Sequence, residues 1–470
     1  MWSSQRAAFP PPFRVSEPSG ASETRTQRGL ARRRPRPDTA ALVRIEIINT
    51  GSELLLGAVL NTHQQWLCRE LSNRGYRVDR QVAVADTGEA IQQAVREALA
   101  RADLILTTGG LGPTSDDLTR DRIAALLNRS LTEDASILVH IRQFFAARNR
   151  SMPSSTRIQA LVPEGALVLP NAHGTAPGLA LEVKPNPFRA DGVPSWLVML
   201  PGPPRELRPM FTEQVLPLLR QKLPPPSEFA CRTLRSTGLG ESLVEQRIAA
   251  ALEPLVAAGL EVGYCARVGE VDVRLSASGP AAASLVRQAE AAVRPLIGQH
   301  LFGSEEDALE GVIVRLLTER RQTLALAESC TGGFLAHRIT NVPGASAVLL
   351  TGLVTYSNEA KSRFLKVRAE TLAAHGAVSE PVARAMAEGA RAATGANFAL
   401  AVTGIAGPTG GSPAKPVGTV FIALASAERT MVINPLNPFD RETFKFVTSQ
   451  QALELLRQEL IGTAGATGRT

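Results

Sequence analysis

From Ile45 onward the chain alternates short apolar runs with stretches of helical period, and this alternation constrains the fold more than any other feature. Ile45–Ile48, Tyr76–Val84, Leu104–Thr108 and Trp196–Leu200 read as strands. Asn61–Arg74, Gly88–Arg101, Thr119–Leu127 and Pro204–Leu219 read as helices around them. Strands separated by helices of this length need crossover connections, so an α/β fold with a parallel, doubly wound sheet is expected. Before Trp196 the pattern lapses into a long loop-rich stretch, and Pro224-Pro225-Pro226 marks a linker.

Beyond that linker the period changes. Arg232–Ser236, Glu261–Ala266 and the alternating Glu270–Ala277 read as strands, with Ser242–Leu252 and Ala281–Ile297 as helices. They make a small α+β unit with no chemistry of its own. A further α/β stretch begins near Glu305, with helix Leu309–Glu319 and strands Thr323–Ala327, Val348–Thr355, Phe398–Val402 and Thr419–Ala425. Within it a helix runs over Glu380–Thr394, with Ser379 as N-cap, Pro381 in its first turn and Gly395 just past its end. Gln450–Leu460 closes the chain as a helix. The organisation expected is an extension over 1–42, an α/β domain over 43–222, a small α+β domain over 228–304 and an α/β domain over 305–462. A chain of 470 residues is long enough for several cores.

The net charge of +7 suggests nucleic-acid binding until it is located. Residues 1–44 hold Arg6, Arg14, Arg25, Arg28, Arg32, Arg33, Arg34, Arg36 and Arg44 against Glu17, Glu23 and Asp38, so the body of the protein is nearly neutral. The Pro-, Ser- and Arg-rich residues 1–42 are expected to be disordered, a transit peptide being the alternative. An aromatic content of 4% argues against a surface that stacks bases. Cys68, Cys231, Cys265 and Cys330 form no C-x-x-C pair, which points to a reducing cytoplasm. No apolar run approaches the ~20 residues that span a bilayer. The partners expected are small molecules, without nucleic acid or membrane.

Chemistry concentrates where the apolar run Leu324–Leu326 ends in Ser329-Cys330-Thr331-Gly332-Gly333 and where Val348–Thr355 ends in Tyr356, five residues before Lys361. A hydroxyl at a strand-to-helix turn, with a lysine and a tyrosine nearby, suits acyl transfer without histidine. Ser329 needs a base. Lys361 qualifies if its pKa falls from ~10.4 towards ~7–8, through burial or a neighbouring cation such as Lys366. Tyr356 would relay a proton or hold Lys361 in place. Amides of Thr331, Gly332 and Gly333 at the helix start would stabilise an oxyanion or hold a phosphate. The bland alternative makes Ser329 a helix cap and Lys361 a solvated surface residue. Cys330, among apolar neighbours, reads as core. A glycine loop from Thr403 through Gly404 and Gly407 to Gly411 also follows a strand and could approach a phosphate or ribose. It is neither a P-loop nor a dinucleotide fingerprint.

In the N-terminal domain, Leu104–Thr108 opens into Gly109-Gly110, then Asp116-Asp117, then a helix at Thr119. Ligands of open α/β sheets bind beyond the carboxyl ends of strands, where this loop lies. Gly109, Gly110 and Thr119 are placed to meet a phosphate, and Asp116 and Asp117 to hold a divalent cation, with Glu53 as a further carboxylate. The alternative is that the two aspartates only cap the helix.

Four segments now appear together in order: Glu328-Ser329-Cys330-Thr331-Gly332-Gly333, Tyr356-Ser357-Asn358-Glu359-Ala360-Lys361, Gly376-Ala377-Val378-Ser379 and Thr403-Gly404-Ile405-Ala406-Gly407-Pro408. This stretch resembles the C-terminal domain of the CinA family. Residues 45–220 are similar to that family's molybdopterin-binding-like domain, through the Gly109 loop, Asn171-Ala172-His173-Gly174-Thr175-Ala176-Pro177-Gly178 and Leu200-Pro201-Gly202-Pro203-Pro204-Arg205-Glu206. Residues around Thr237–Ser242 and Gly269–Arg274 resemble its KH-like domain. They lack a G-x-x-G loop with basic flanks, which argues against RNA binding.

The resemblance implies a nicotinamide-nucleotide amidohydrolase, without a cofactor, that converts nicotinamide mononucleotide to nicotinic acid mononucleotide and ammonia. On it, Ser329 attacks the carboxamide, Lys361 activates Ser329 and Tyr356 assists. Arg441 matches the family's substrate-contacting arginine, with Phe439 where the family has glycine and Lys445 where it has a second arginine. The resemblance further implies a homodimer and, in the N-terminal domain, metal-dependent hydrolysis of ADP-ribose. The alternative is a catalytically weak nucleotide-binding or scaffold protein associated with competence and DNA damage.

Overall fold

The computed structural model describes residues 43–225 and 227–462; the extension over 1–42 and Pro226 lie outside the described residues. The N-terminal sheet has six strands in the order Val78–Val84, Ile45–Thr50, Leu104–Thr108, Ser195–Leu200, Gly178–Val183, Leu167–Leu169. The first four, which are the strands expected from the sequence, pair in parallel as the doubly wound reading requires, and two further strands, which were not expected, join by antiparallel pairing. The physical reason lies in the stretch read as loop. It contains helix Ala135–Ala146, capped by the Asp134 carboxylate, and a pair of short strands whose return over 170–177 needs no crossover helix. Alternate residues leave the sheet on opposite faces. Ile48, Ile105, Leu197 and Met199 enter one core, and Ile47, Leu106, Val198 and Leu200 enter the other.

The middle domain is an antiparallel sheet in the order Glu261–Arg267, Glu270–Ser278, Phe229–Thr237, Leu301–Ser304. Helices Glu241–Ala257 and Ala282–Ile297 cover the face that carries Leu234, Val271, Val273 and Leu275. The opposite face carries Arg235, Glu270 and Asp272, and alternation alone would assign it to solvent. It is covered instead, with Arg235 and Glu270 both buried.

The C-terminal sheet runs Leu349–Val354, Leu324–Glu328, Phe398–Gly404, Val420–Ala425, Thr430–Ile433, the first three strands parallel and the last two antiparallel. Leu324 and Leu326 pack towards helices Leu309–Arg320 and Arg441–Leu460. Ala325 and Ala327 pack under helix Glu380–Thr394, where small side chains let the helix lie close. Arg441–Leu460 starts well before the Gln450 expected from the sequence. Asp440 accepts the Glu442 and Thr443 amides at its start, and buried Thr448, Ser449 and Gln450 interrupt the apolar period that would have revealed it.

In both α/β sheets the first strand lies between its immediate successor and a later strand. The chain therefore switches sides at the carboxyl ends of Ile45–Thr50 and of Leu324–Glu328, where open sheets bind ligands. Among the described residues no helix is long and apolar enough to cross a membrane.

One glycine holds Lys361 in register. A Cβ at Gly389 would lie 1.9 Å from the Leu365 carbonyl oxygen, so helix Glu380–Thr394 can cross the end of helix Asn358–Leu365 only with glycine there. Gly389→Ala should lower the unfolding free energy by about 1–3 kcal/mol, because the clash outweighs the better helix propensity of alanine. Urea unfolding of the two proteins measures the difference.

Candidate active site

Leu324–Glu328 ends in a carboxylate that is fully buried. Glu328 accepts the amides of Gly333 and Leu335 at 3.0 Å and of Ala336 at 2.8 Å, which are donors left without partners at the start of helix Phe334–Thr340. Gly332 (φ 61°) and Gly333 (φ 93°) make the sharp turn that returns the chain over this carboxylate. The cap is thus Glu328, and Ser329 has no capping role. The Gly333 amide is also spent on Glu328, and the Gly332 amide on the Ser329 carbonyl, so neither can serve a phosphate or oxyanion as expected. Among the described residues the amides of Cys330 and Thr331 bond to no backbone carbonyl outside regular secondary structure and instead face the Cys330 sulfur.

Ser329, itself buried, is fixed by its amide on the Val402 carbonyl at 2.9 Å, which joins it to the next strand of the sheet. Its hydroxyl meets the Lys361 amine at 3.0 Å. Lys361 is 1% exposed, which excludes the solvated reading, and it also donates to the carbonyls of Thr355 (2.9 Å) and Tyr356 (3.2 Å). Burial lowers its pKa from the ordinary lysine value by penalising the ammonium. The neighbouring cation anticipated for this purpose is not used, since the Lys366 amine turns away to the Arg363 carbonyl.

The three partners match both protonation states of Lys361. A neutral amine has two N–H groups and one lone pair, which suits two carbonyls and one hydroxyl proton. After taking that proton, the ammonium donates to all three oxygens. The arrangement can therefore remove a proton from Ser329 and return it without leaving a buried group unpaired.

Tyr356 contributes differently from what was expected. Its carbonyl holds Lys361, but its phenol, 60% exposed, accepts from Arg441 at 2.8 Å and is not bonded to the amine. Arg441 also donates to the Gly407 carbonyl at 3.0 Å, so it ties the glycine loop to the Tyr356 segment across the mouth of the site. Lys445, one turn further on, lies over the Phe334 ring instead. Thr403 is buried and donates its hydroxyl to the Ala377 carbonyl at 2.8 Å, and Gly404 and Gly407 complete the loop beside it. Cys330 is buried and its thiol is pushed up to about 12 by desolvation, which makes it inert as a nucleophile. Sequence reasoning passed over Glu328. The available signal was a lone acid at the carboxyl end of an apolar strand, just before a glycine pair and a helix.

The structure brings together only part of the N-terminal constellation. Thr50 and Thr119 hydroxyls lie 3.3 Å apart beside Gly109 and Gly110. A Cβ at Gly110 would fall 2.0 Å from the Thr119 hydroxyl, so this glycine lets two chain segments meet. The Gly109 amide is spent on the Leu200 carbonyl. Asp117 accepts the amide and the hydroxyl of Thr114 and closes that turn, so it does not cap the helix. Asp116 and Glu53 are exposed. Among the described residues no three His, Cys, Asp or Glu side chains gather into a cation site, and these carboxylates do not by themselves fit the expected metal.

Comparison with known proteins agrees across the whole length described. Residues 46–221 match the probable molybdopterin binding domain, residues 231–303 the damage-inducible protein CinA KH domain, and residues 306–460 the CinA C-terminal domain. A CinA-like protein of Akkermansia muciniphila is 44% identical over 412 residues, covering 87% of this chain and 96% of that protein. A CinA-like protein of Gemmatimonas aurantiaca is 41% identical over 426 residues, covering 90% and 97% respectively. Among solved structures, the competence/damage inducible protein CihA of Agrobacterium tumefaciens is 42% identical, covering 33% of this chain and 93% of its own, with a TM-score of 0.32.

Proposed function

We propose, for a chain that belongs to the CinA family, that the C-terminal domain hydrolyses the carboxamide of nicotinamide mononucleotide, giving nicotinic acid mononucleotide and ammonia. The observation that carries this proposal is the buried amine of Lys361, poised at 3.0 Å from the Ser329 hydroxyl at the switch point of the sheet. In the proposed reaction Ser329 Oγ attacks the carboxamide carbon while its proton passes to Lys361 Nζ. The amides of Cys330 and Thr331 then turn from the Cys330 sulfur to the tetrahedral oxyanion. Collapse breaks the C–N bond, Lys361 returns the proton to the departing nitrogen, and ammonia leaves. Water then attacks the ester carbon, gives a proton to Lys361, and the alkoxide of Ser329 leaves and regains it. Arg441 and the Gly404–Gly407 turn are the groups offered to the nucleotide's polar end.

The test is direct: purified protein with nicotinamide mononucleotide should release ammonia in step with nicotinic acid mononucleotide. A folded protein that releases none would end the proposal. For the N-terminal domain no metal-dependent step is derived, because its carboxylates do not assemble.

A further inference from the structure

We infer that the middle domain is a built-in positioning element of the C-terminal site, with Glu270 and Gln450 as the positioning residues; this rests on the function proposed above. The charged face of the middle sheet is not solvated. Glu270 takes a bond from Gln450 Nε2 at 2.9 Å on one carboxylate oxygen and from Arg235 at 2.5 Å on the other. Gln450, 1% exposed, also reaches the Thr237 hydroxyl at 3.4 Å, and its own oxygen accepts from Arg338 at 2.7 Å. Arg338 continues to Ser449 at 2.9 Å and Glu310 at 2.6 Å. Buried charges are costly unless paired, and removing one partner leaves the other uncompensated, so this chain of bonds holds its members in one arrangement. A cavity of about 490 Å³ borders the seam, and of its charged walls Arg235 is paired with Glu270 and Arg338 with Glu310.

Of the two C-terminal helices that shape the site, the middle domain holds Arg441–Leu460 directly, through Gln450 and Arg457, and reaches Phe334–Thr340 through the bond from Arg338 to Gln450. Arg338 lies on Phe334–Thr340, which leaves the nucleophile turn and carries the Glu328 cap. Gln450 lies on Arg441–Leu460, and Arg441, the first residue of that helix, is bonded to Tyr356 and Gly407 about 13 Å away along the axis. The same helix is fixed at its far end, where buried Arg457 donates to the carbonyls of Leu301 (3.2 Å) and Gln299 (2.5 Å) of the middle domain. Two anchors of this kind set the axial position and rotation of the helix. Arg441 is exposed and has no buried side-chain support of its own, so it inherits its place from them.

Gln450→Met keeps the volume and removes the bonds to Glu270, Thr237 and Arg338. In the full-length protein it should raise KM for nicotinamide mononucleotide by roughly tenfold, since displacements near 1 Å carry penalties of that order or more, while kcat stays within about threefold. Combined with Arg441→Lys, the two increases in KM should be clearly less than additive, because Gln450 acts through Arg441. Hydrogen exchange of the segment containing Gly407 should quicken in Gln450→Met. Additive effects on KM, or unchanged exchange at that segment, would overturn the inference. If wild-type protein does not deamidate the nucleotide, the functional proposal fails, and the exchange experiment still decides whether the middle domain positions the helix.

Discussion

Ser329→Ala lowers kcat for the release of ammonia from nicotinamide mononucleotide by roughly 10⁴-fold or more, the expected result when the group that bonds to the substrate is removed. Among the described residues the Ser329 hydroxyl is bonded to Lys361 and to no other side chain, so its loss should shift stability by only about 1 kcal/mol. Inactivity and unfolding are therefore separable: the variant should keep its urea midpoint nearly unchanged and still lose turnover. The adjacent thiol cannot take over. Cys330 is desolvated, with its pKa pushed up to about 12, and near neutral pH too little thiolate forms to attack an amide. Residual activity in Ser329→Ala above about one part in a hundred would therefore count against the serine and not be explained by its neighbour.

The parts of this fold legible from sequence were those where one physical signal dominates. Leu104–Thr108 and Glu380–Thr394 were placed to the residue, the first by three apolar residues and two β-branched threonines that run into a glycine pair, the second by proline near its start and glycine past its end. Leu167–Leu169 and Gly178–Val183 escaped because three- and six-residue strands joined by an irregular loop over 170–177 lack the period that a window can detect. The middle domain shows the opposite failure. Glu270, Asp272 and Arg274 alternate with Val271, Val273 and Leu275 as a half-solvated strand should, yet the charged side is the one that docks.

At the candidate site the sequence named Ser329 and Lys361 but could not say how they face each other. That depends on Glu328 folding the turn and on Gly389 letting two helices cross, and both are tertiary facts. Nor could spacing separate Tyr356's carbonyl from its phenol, which serve Lys361 and Arg441 respectively. The glycines of the turns were misread for a related reason. A glycine that admits a ligand and one that admits another chain segment look alike in sequence, and Gly110 is of the second kind.

Lys361 provides the sharpest test, because base and structural roles predict different pH behaviour. The amine must be neutral to take the Ser329 proton, so kcat/KM should rise with pH along a one-proton limb set by Lys361. Burial lowers that pKa, which places the limb below the ordinary lysine value of about 10.4. Lys361→Met should abolish the limb and cost roughly 10³–10⁴-fold in kcat. Lys361→Arg retains a cation that no accessible pH will neutralise, so it should be as inactive as the methionine variant throughout. An arginine variant with substantial activity would show that charge, not basicity, is what the site requires. Stability follows the same linkage with a definite sign. A folded-state pKa below the unfolded value means that the unfolded chain binds more protons between the two, so wild-type stability rises with pH across that window. The rise is complete above the unfolded value near 10.4 and absent below the depressed folded value. Subtracting the urea-unfolding profile of Lys361→Met from that of wild type should isolate this slope, and a difference flat with pH would mean that Lys361 is not held in its neutral form.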